Sequence, residues 1–125
     1  MTSTVTLGAI ALDCADPPAL ATFYANLLGI EPGFSSDGFA AIKVQGIWVT
    51  MHRVEEYRPP RWPSLDAPAQ AHLDFAVHDD LDAAEARAIE LGATKASEQP
   101  APDRWRVLID PAGHPFCLGP ASSYP

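Results

Sequence analysis

In the stretch AHLDFAV, residues 71–77, an imidazole and a carboxylate stand two positions apart, at His72 and Asp74. On an extended chain that spacing puts both on one face, with Leu73, Phe75 and Val77 on the other. GIWVTMHRV repeats the arrangement: Trp48, Thr50 and His52 alternate with Val49 and Met51. In HPFCLG, Cys117 stands between Phe116 and Leu118, and in GAIALDC, Ala9, Ala11 and Asp13 alternate with Ile10, Leu12 and Cys14. If the apolar partners build the core, the opposite faces gather Asp13, Trp48, Thr50, His52, His72, Asp74 and Cys117. That mixture suits ligand binding, with tryptophan for contact area and a few polar groups for orientation. His72 and Asp74 are the candidate catalytic residues, since either can take a proton as a general base. His52, His72 and Cys117 are the side chains that would hold a metal, a zinc-compatible set of N and S donors if they converge. Cys117 acts as a nucleophile only if a base such as His72 activates its thiol.

Other reactive residues have plainer readings. His114, in the turn DPAGH, reads as turn chemistry, and His78 as an exposed residue ahead of a helix. Trp105 shares a strand with Val107 and Ile109, which suits core packing as well as ligand stacking. Trp62, in PPRWP, is placed to cover a cleft mouth or a dimer contact. Arg58 and Arg61 read as surface cations.

The elements that must position these residues follow from local signals. Residues 5–15 are apolar and β-rich. Residues 16–29 then read as a helix: Asp16 caps it, Pro17 suits its first turn, and Gly29 stops it. EPGFSS, GFAAIKVQG and GIWVTMHRV read as three strands, the last two forming a hairpin. The proline-rich segment 57–70 reads as an irregular linker. A strand over 71–78, a helix over 79–92, and short strands in ATKASEQ, DRWRVLIDP and HPFCLG complete the chain. Asp16 and Asp79 are 63 residues apart, as are Ala21 and Ala84, Leu28 and Leu91, and Gly29 and Gly92. The order strand, helix and three strands therefore occurs twice, as a duplicated βαβββ module.

LDCADPPALATFYANLLGI, HLDFAVHDDLDAAEARAIELGA and DPAGHPFCLG resemble the vicinal oxygen chelate superfamily, which includes glyoxalase I, extradiol dioxygenases, fosfomycin-resistance enzymes and bleomycin-binding proteins. The chain is most similar to the small glyoxalase-like proteins common in actinobacteria. The resemblance implies an α+β fold in which two βαβββ modules form an open, barrel-like curled sheet with helices outside and a ligand cleft between the modules. Residues 1–125 would form one glyoxalase-like domain, with module 1 at about 1–56, the linker at about 57–70 and module 2 at about 71–125. Metal-dependent relatives hold a divalent ion with a His on the first strand, a His on the fifth and a Glu on the last. Carried over, those positions fall on Ala9, His72 and Cys117. Ala9 has no donor atom, and a thiol is softer than the carboxylate that suits magnesium, manganese or iron. No metal cofactor is therefore expected.

Composition sets the remaining expectations. The chain of 125 residues carries a formal net charge of −8, against the cationic surface that nucleic acid requires. Two cysteines far apart exclude paired CxxC zinc sites. Neither a membrane-spanning run nor a signal peptide is evident, which places the protein in the cytoplasm. The expected function is binding of a small organic molecule, neutral or cationic, by a homodimer with an incomplete metal site. The alternative is a metal-dependent glyoxalase-type lyase or isomerase, or a dioxygenase, using His72 with non-standard ligands.

Overall fold

A computed structural model of the protein describes residues 3–124. Met1 and Thr2, part of the N-terminal stretch read for a signal peptide, lie outside the described residues, as does Pro125. The chain divides into two compact units, residues 1–57 and 58–125.

In the first unit, β1 (Ala9–Cys14) leads into α1 (Pro17–Leu28), followed by β2 (Phe39–Val44) and β3 (Ile47–Arg53). The Asp16 carboxylate accepts the backbone N–H of Ala19 at 3.2 Å, satisfying a donor that the first turn leaves free. Gly29 closes the helix in the left-handed region, at φ +64°, where a side chain would be strained. Leu20, Ala21, Phe23, Tyr24 and Ala25 are buried on the face of α1 that meets β2 and β3. The sheet order is β1-β3-β2, with β1 parallel and β2 antiparallel to β3. EPGFSS does not form the expected strand. It contributes only an isolated bridge from Ser35 to Ala40, because Pro32 and Gly33 interrupt the pairing.

The second unit has the order β4 (Leu73–Val77), α2 (Leu81–Leu91), β5 (Thr94–Lys95), β6 (Arg106–Ile109) and β7 (Pro115–Pro120). A short 3-10 turn at Ala121–Ser123 follows. The sheet order is β4-β7-β6-β5, with β4 and β7 parallel. Only Ala88 of α2 is fully buried, so side-chain pairing assists this helix. Arg106 of β6 reaches Asp82 at 2.9 Å and Glu85 at 3.3 Å. Each sheet is open and ends on two edge strands, and neither closes into a barrel. The α+β class and the one helix per module are as expected.

One feature of the repeat differs. The cap of α2 is Asp80, whose carboxylate accepts the Asp82 N–H at 2.9 Å, and not Asp79. Two residues separate β4 from its cap, where one separates β1 from Asp16. The caps are thus 64 residues apart while the glycine stops remain 63 apart. The strand faces follow the odd offset: Ala9, Ala11 and Asp13 correspond in face to His72, Asp74 and Ala76. A shift of one would turn every side chain to the other face.

The segment read as a linker contains neither helix nor strand, as its prolines require, yet residues 58–70 of it are part of the second unit. Trp62 packs on the cluster of Ala96, Val107 and Cys117. Pro59 lies so close to Gly113 that a β-carbon there would approach it to 2.5 Å.

Candidate functional site

The second unit contains a pocket of about 380 Å³. Its floor comes from the sheet: Asp74 of β4, Val107 of β6, and Pro115, Cys117 and Gly119 of β7. His72 contributes from the residue just before β4. Trp62, Arg104, Trp105, Ser123 and Tyr124 line it from segments outside the strands.

Asp74 and Cys117 are directly opposite each other across the parallel ladder of β4 and β7. His72 Nε2 lies 3.1 Å from Asp74 Oδ1. One donor atom from each of His72, Asp74 and Cys117 falls within 4.8 Å of the other two. The His72 and Asp74 side chains are 47% and 46% exposed, whereas Cys117 is 8% exposed. Burial, and then the charge of Asp74 beside it, push the Cys117 thiol up to about 11. The thiol is therefore protonated at neutral pH and is not a ready nucleophile. Burial also raises the Tyr124 hydroxyl, with Asp74 and then Cys117 adding to the effect.

The wall above this corner is held by specific contacts. The Gln99 side chain donates to Ala96 O at 2.9 Å and Val107 O at 2.7 Å, and accepts from Val107 N at 2.9 Å. These bonds tie residues 96–99 to β6 at Val107, part of the cluster on which Trp62 packs. The Arg104 guanidinium sits 5.9 Å from the centre of the Trp105 ring, within cation–π range. In the turn ahead of β7, buried Asp110 accepts the N–H groups of Ala112 at 2.9 Å and His114 at 3.0 Å. His114 is thus part of turn chemistry, and His78 is exposed, as read from the sequence.

The other candidate residues lie in the first unit. Trp48, Thr50 and His52 share one face of β3, and Val49 and Met51 are buried on the other. Thr50 Oγ1 and His52 Nε2 are 3.0 Å apart, and Phe39 meets the imidazole edge-on. Trp48 is 41% exposed with Lys43 over its ring. Ala9, Ala11 and Asp13 are exposed on β1, as alternation requires. Ile10 departs from expectation: it is 37% exposed, on β1 at the edge of its sheet. Cys14 is fully buried and its thiol donates to the His52 carbonyl.

The structure thus brings together His72, Asp74 and Cys117, three residues that strand alternation puts on one face. Of the other lining residues, the sequence marks Trp62 and Trp105 for ligand stacking or packing, and does not single out Arg104 and Tyr124. Trp105 is not a core residue but precedes β6 and opens to the pocket. Its alternation with Val107, which also lines the pocket, was the available signal.

A glyoxalase-like domain model matches residues 9–119. The chain belongs to this family. Solved structures of the same fold include a glyoxalase-related enzyme from Fulvimarina pelagi, with a TM-score of 0.71 at 18% identity, covering 96% of this chain and 91% of that one. A glyoxalase/bleomycin resistance protein/dioxygenase family enzyme from Burkholderia phytofirmans PsJN gives 0.70 at 18%, covering 94% and 99%. A fosfomycin resistance protein from Mesorhizobium loti gives 0.68 at 18%, covering 95% and 92%. Among curated proteins there is no match to this sequence.

Members of this superfamily often hold a divalent metal, and the donor set here can be tested against the one expected. Ala9 supplies no atom, and the last-strand position is Cys117, a buried thiol in place of a carboxylate. These residues do not fit a hard ion such as magnesium, manganese or iron.

Proposed function

We propose that this glyoxalase-like protein binds a small organic molecule carrying a flat ring and a neutral or cationic polar group. The observation that carries the reading is the pocket of the second unit: Trp62, Trp105 and Tyr124 form aromatic wall, and His72 and Asp74 form one polar corner. A pocket that is mostly apolar with a few convergent polar groups is the usual form of a small-molecule site. The corner carboxylate and the net charge of −8 favour a cation over an anion. The β3 face of Trp48, Thr50 and His52 is the second candidate contact surface. The superfamily resemblance further supports a cytoplasmic homodimer akin to the small actinobacterial glyoxalase-like proteins.

A second reading, proton transfer, is favoured by the 3.1 Å contact of His72 and Asp74. A carboxylate beside an imidazole orients the ring and selects its tautomer, the arrangement used by general bases. It leads to lyase or isomerase chemistry without the family's hard metal ion.

The test is a thermal-shift screen of neutral, cationic and anionic heteroaromatic compounds, followed by calorimetric titration of the hits. Neutral and cationic hits that lose affinity in Trp62→Ala support the reading. Hits that are mainly anions, or that bind Trp62→Ala as well as the wild type, contradict it.

A further inference from the structure

We propose that the organic ligand of the second unit's pocket carries opposite charges at its two ends: a basic amine held at Asp74, a flat ring over β7, and an acidic group held at Arg104. The proposal rests on the ring-binding reading above and names the class of compound within it.

The sheet sets the two ends apart. β7 is flanked by β4 on one side and β6 on the other. Asp74 and Val107 are both registered with Cys117, from opposite sides, so the three form one row across the sheet. Two strand spacings of about 4.8 Å separate β4 from β6, roughly 10 Å in all. Trp105 precedes Val107 by two residues and lines the pocket beside it, next in the chain to Arg104. Asp74 and the Arg104–Trp105 pair thus stand on opposite banks.

The floor between the banks is low. β7 contributes Pro115, Cys117 and Gly119 to it, none with a long side chain. A β-carbon on Gly119 would meet the Tyr124 hydroxyl at 3.4 Å, the Arg104 carbonyl oxygen at 3.6 Å and Trp105 Cβ at 3.7 Å. Glycine therefore keeps this end of the floor open, next to two aromatic walls, and leaves room for a planar ring.

The charges select what the ring carries. Although the chain has a net charge of −8, this pocket pairs one carboxylate with one guanidinium. The Arg104 guanidinium rests 5.9 Å from the Trp105 ring centre, and among the described residues no carboxylate forms an ion pair with it. Arg106, two residues on, is by contrast held by Asp82 and Glu85. A guanidinium supported on an aromatic face presents a fork of donors that matches a carboxylate. An acid without the amine meets the like charge of Asp74, and an amine without the acid leaves Arg104 unmatched. An α-amino acid, with both charges on one carbon, does not reach both banks. A ring separating the two groups does, and its net charge is zero.

The test is calorimetric titration of the full-length protein with 4-(aminomethyl)benzoate, benzylamine and 4-methylbenzoate at low ionic strength, where exposed charges are least screened. 4-(Aminomethyl)benzoate should bind roughly threefold to tenfold tighter than benzylamine, the range for a charge-assisted contact at a partly exposed site. 4-Methylbenzoate should bind weakest. Arg104→Gln should bring the first two compounds to within about twofold of each other, and Arg104→Lys should keep part of the preference. Asp74→Asn should remove the advantage of 4-(aminomethyl)benzoate over 4-methylbenzoate. Both positions are exposed, and circular dichroism establishes that each variant is folded. A preference that is absent, or that survives in Arg104→Gln, overturns the proposal and leaves the ring-and-cation reading standing. Failure of all three compounds to bind also overturns it, while the broader screen described above decides the wider reading on its own.

Discussion

Asp74 lies directly across the β4–β7 ladder from Cys117, and that single register position sets the chemistry of the pocket's polar corner. A one-residue slip of β4 along β7 would put Leu73 or Phe75 in place of Asp74 opposite Cys117. The corner therefore depends on the same pairing that buries the second unit's core.

The first prediction concerns the thiol in the metal-free protein. Its pKa is raised from 9.0 to about 11, chiefly by burial and then by Asp74. The folded state thus holds this proton more tightly than the unfolded chain does. The contribution to stability is fully present below pH 9.0 and is lost as pH rises towards about 11. Alkylation by iodoacetamide at neutral pH should be much slower at Cys117 than for an unperturbed thiol. Asp74→Asn should speed it by removing the neighbouring charge. Peptide mapping of the alkylated protein checks both. Rapid modification of Cys117 at neutral pH would contradict the stated environment.

The second prediction uses the helix caps to test the repeat. Asp80→Ala removes the carboxylate that accepts the Asp82 N–H and should cost about 1 kcal/mol. Asp16→Ala should cost a similar amount for the bond from Ala19. Asp79→Ala should be nearly neutral. Thermal or urea unfolding of the three variants decides whether the caps are 64 or 63 residues apart.

Much of this arrangement was legible in the chain, and the reasons differ by element. The α1 boundaries follow from Asp16, Pro17 and Gly29, because capping and left-handed geometry restrict those positions to a few residue types. The ambiguity at α2 arises because Asp79 and Asp80 are chemically the same, and only hydrogen-bond geometry selects between them. His72, Asp74 and Cys117 were accessible through alternation, which depends only on strand parity. Arg104 and Tyr124 were not, since residues in irregular segments have no period to reveal their direction. Trp62 reaches the pocket through a proline-rich stretch that reads as a spacer but packs on Val107 and Cys117.

The third prediction concerns hard metal ions. With alanine at position 9 and a thiol at position 117, purified protein should carry no stoichiometric magnesium, manganese or iron. It should also lack activity on the methylglyoxal–glutathione adduct. Elemental analysis of protein prepared without a histidine tag checks the first statement and a standard lyase assay the second. About one such ion per chain, lost in His72→Ala, would contradict the donor argument.

The fourth prediction assigns the binding energy. Trp62→Ala and Trp105→Ala should each weaken a ring-containing ligand by about 1–3 kcal/mol, the order expected for losing a buried aromatic contact. Asp74→Asn should selectively weaken cationic ligands and leave neutral ones nearly unchanged. Calorimetric titration of one neutral and one cationic hit separates the two effects.

The most direct measurement is nuclear magnetic resonance of the indole groups. The chain has three tryptophans, so labelling them gives one resolved signal each, assigned by Trp48→Phe, Trp62→Phe and Trp105→Phe. On titration with neutral or cationic heteroaromatic hits, the Trp62 and Trp105 signals should move together and saturate with one common Kd. Saturable binding that moves the Trp48 signal alone, or moves none of the three, would contradict a ligand site in this pocket.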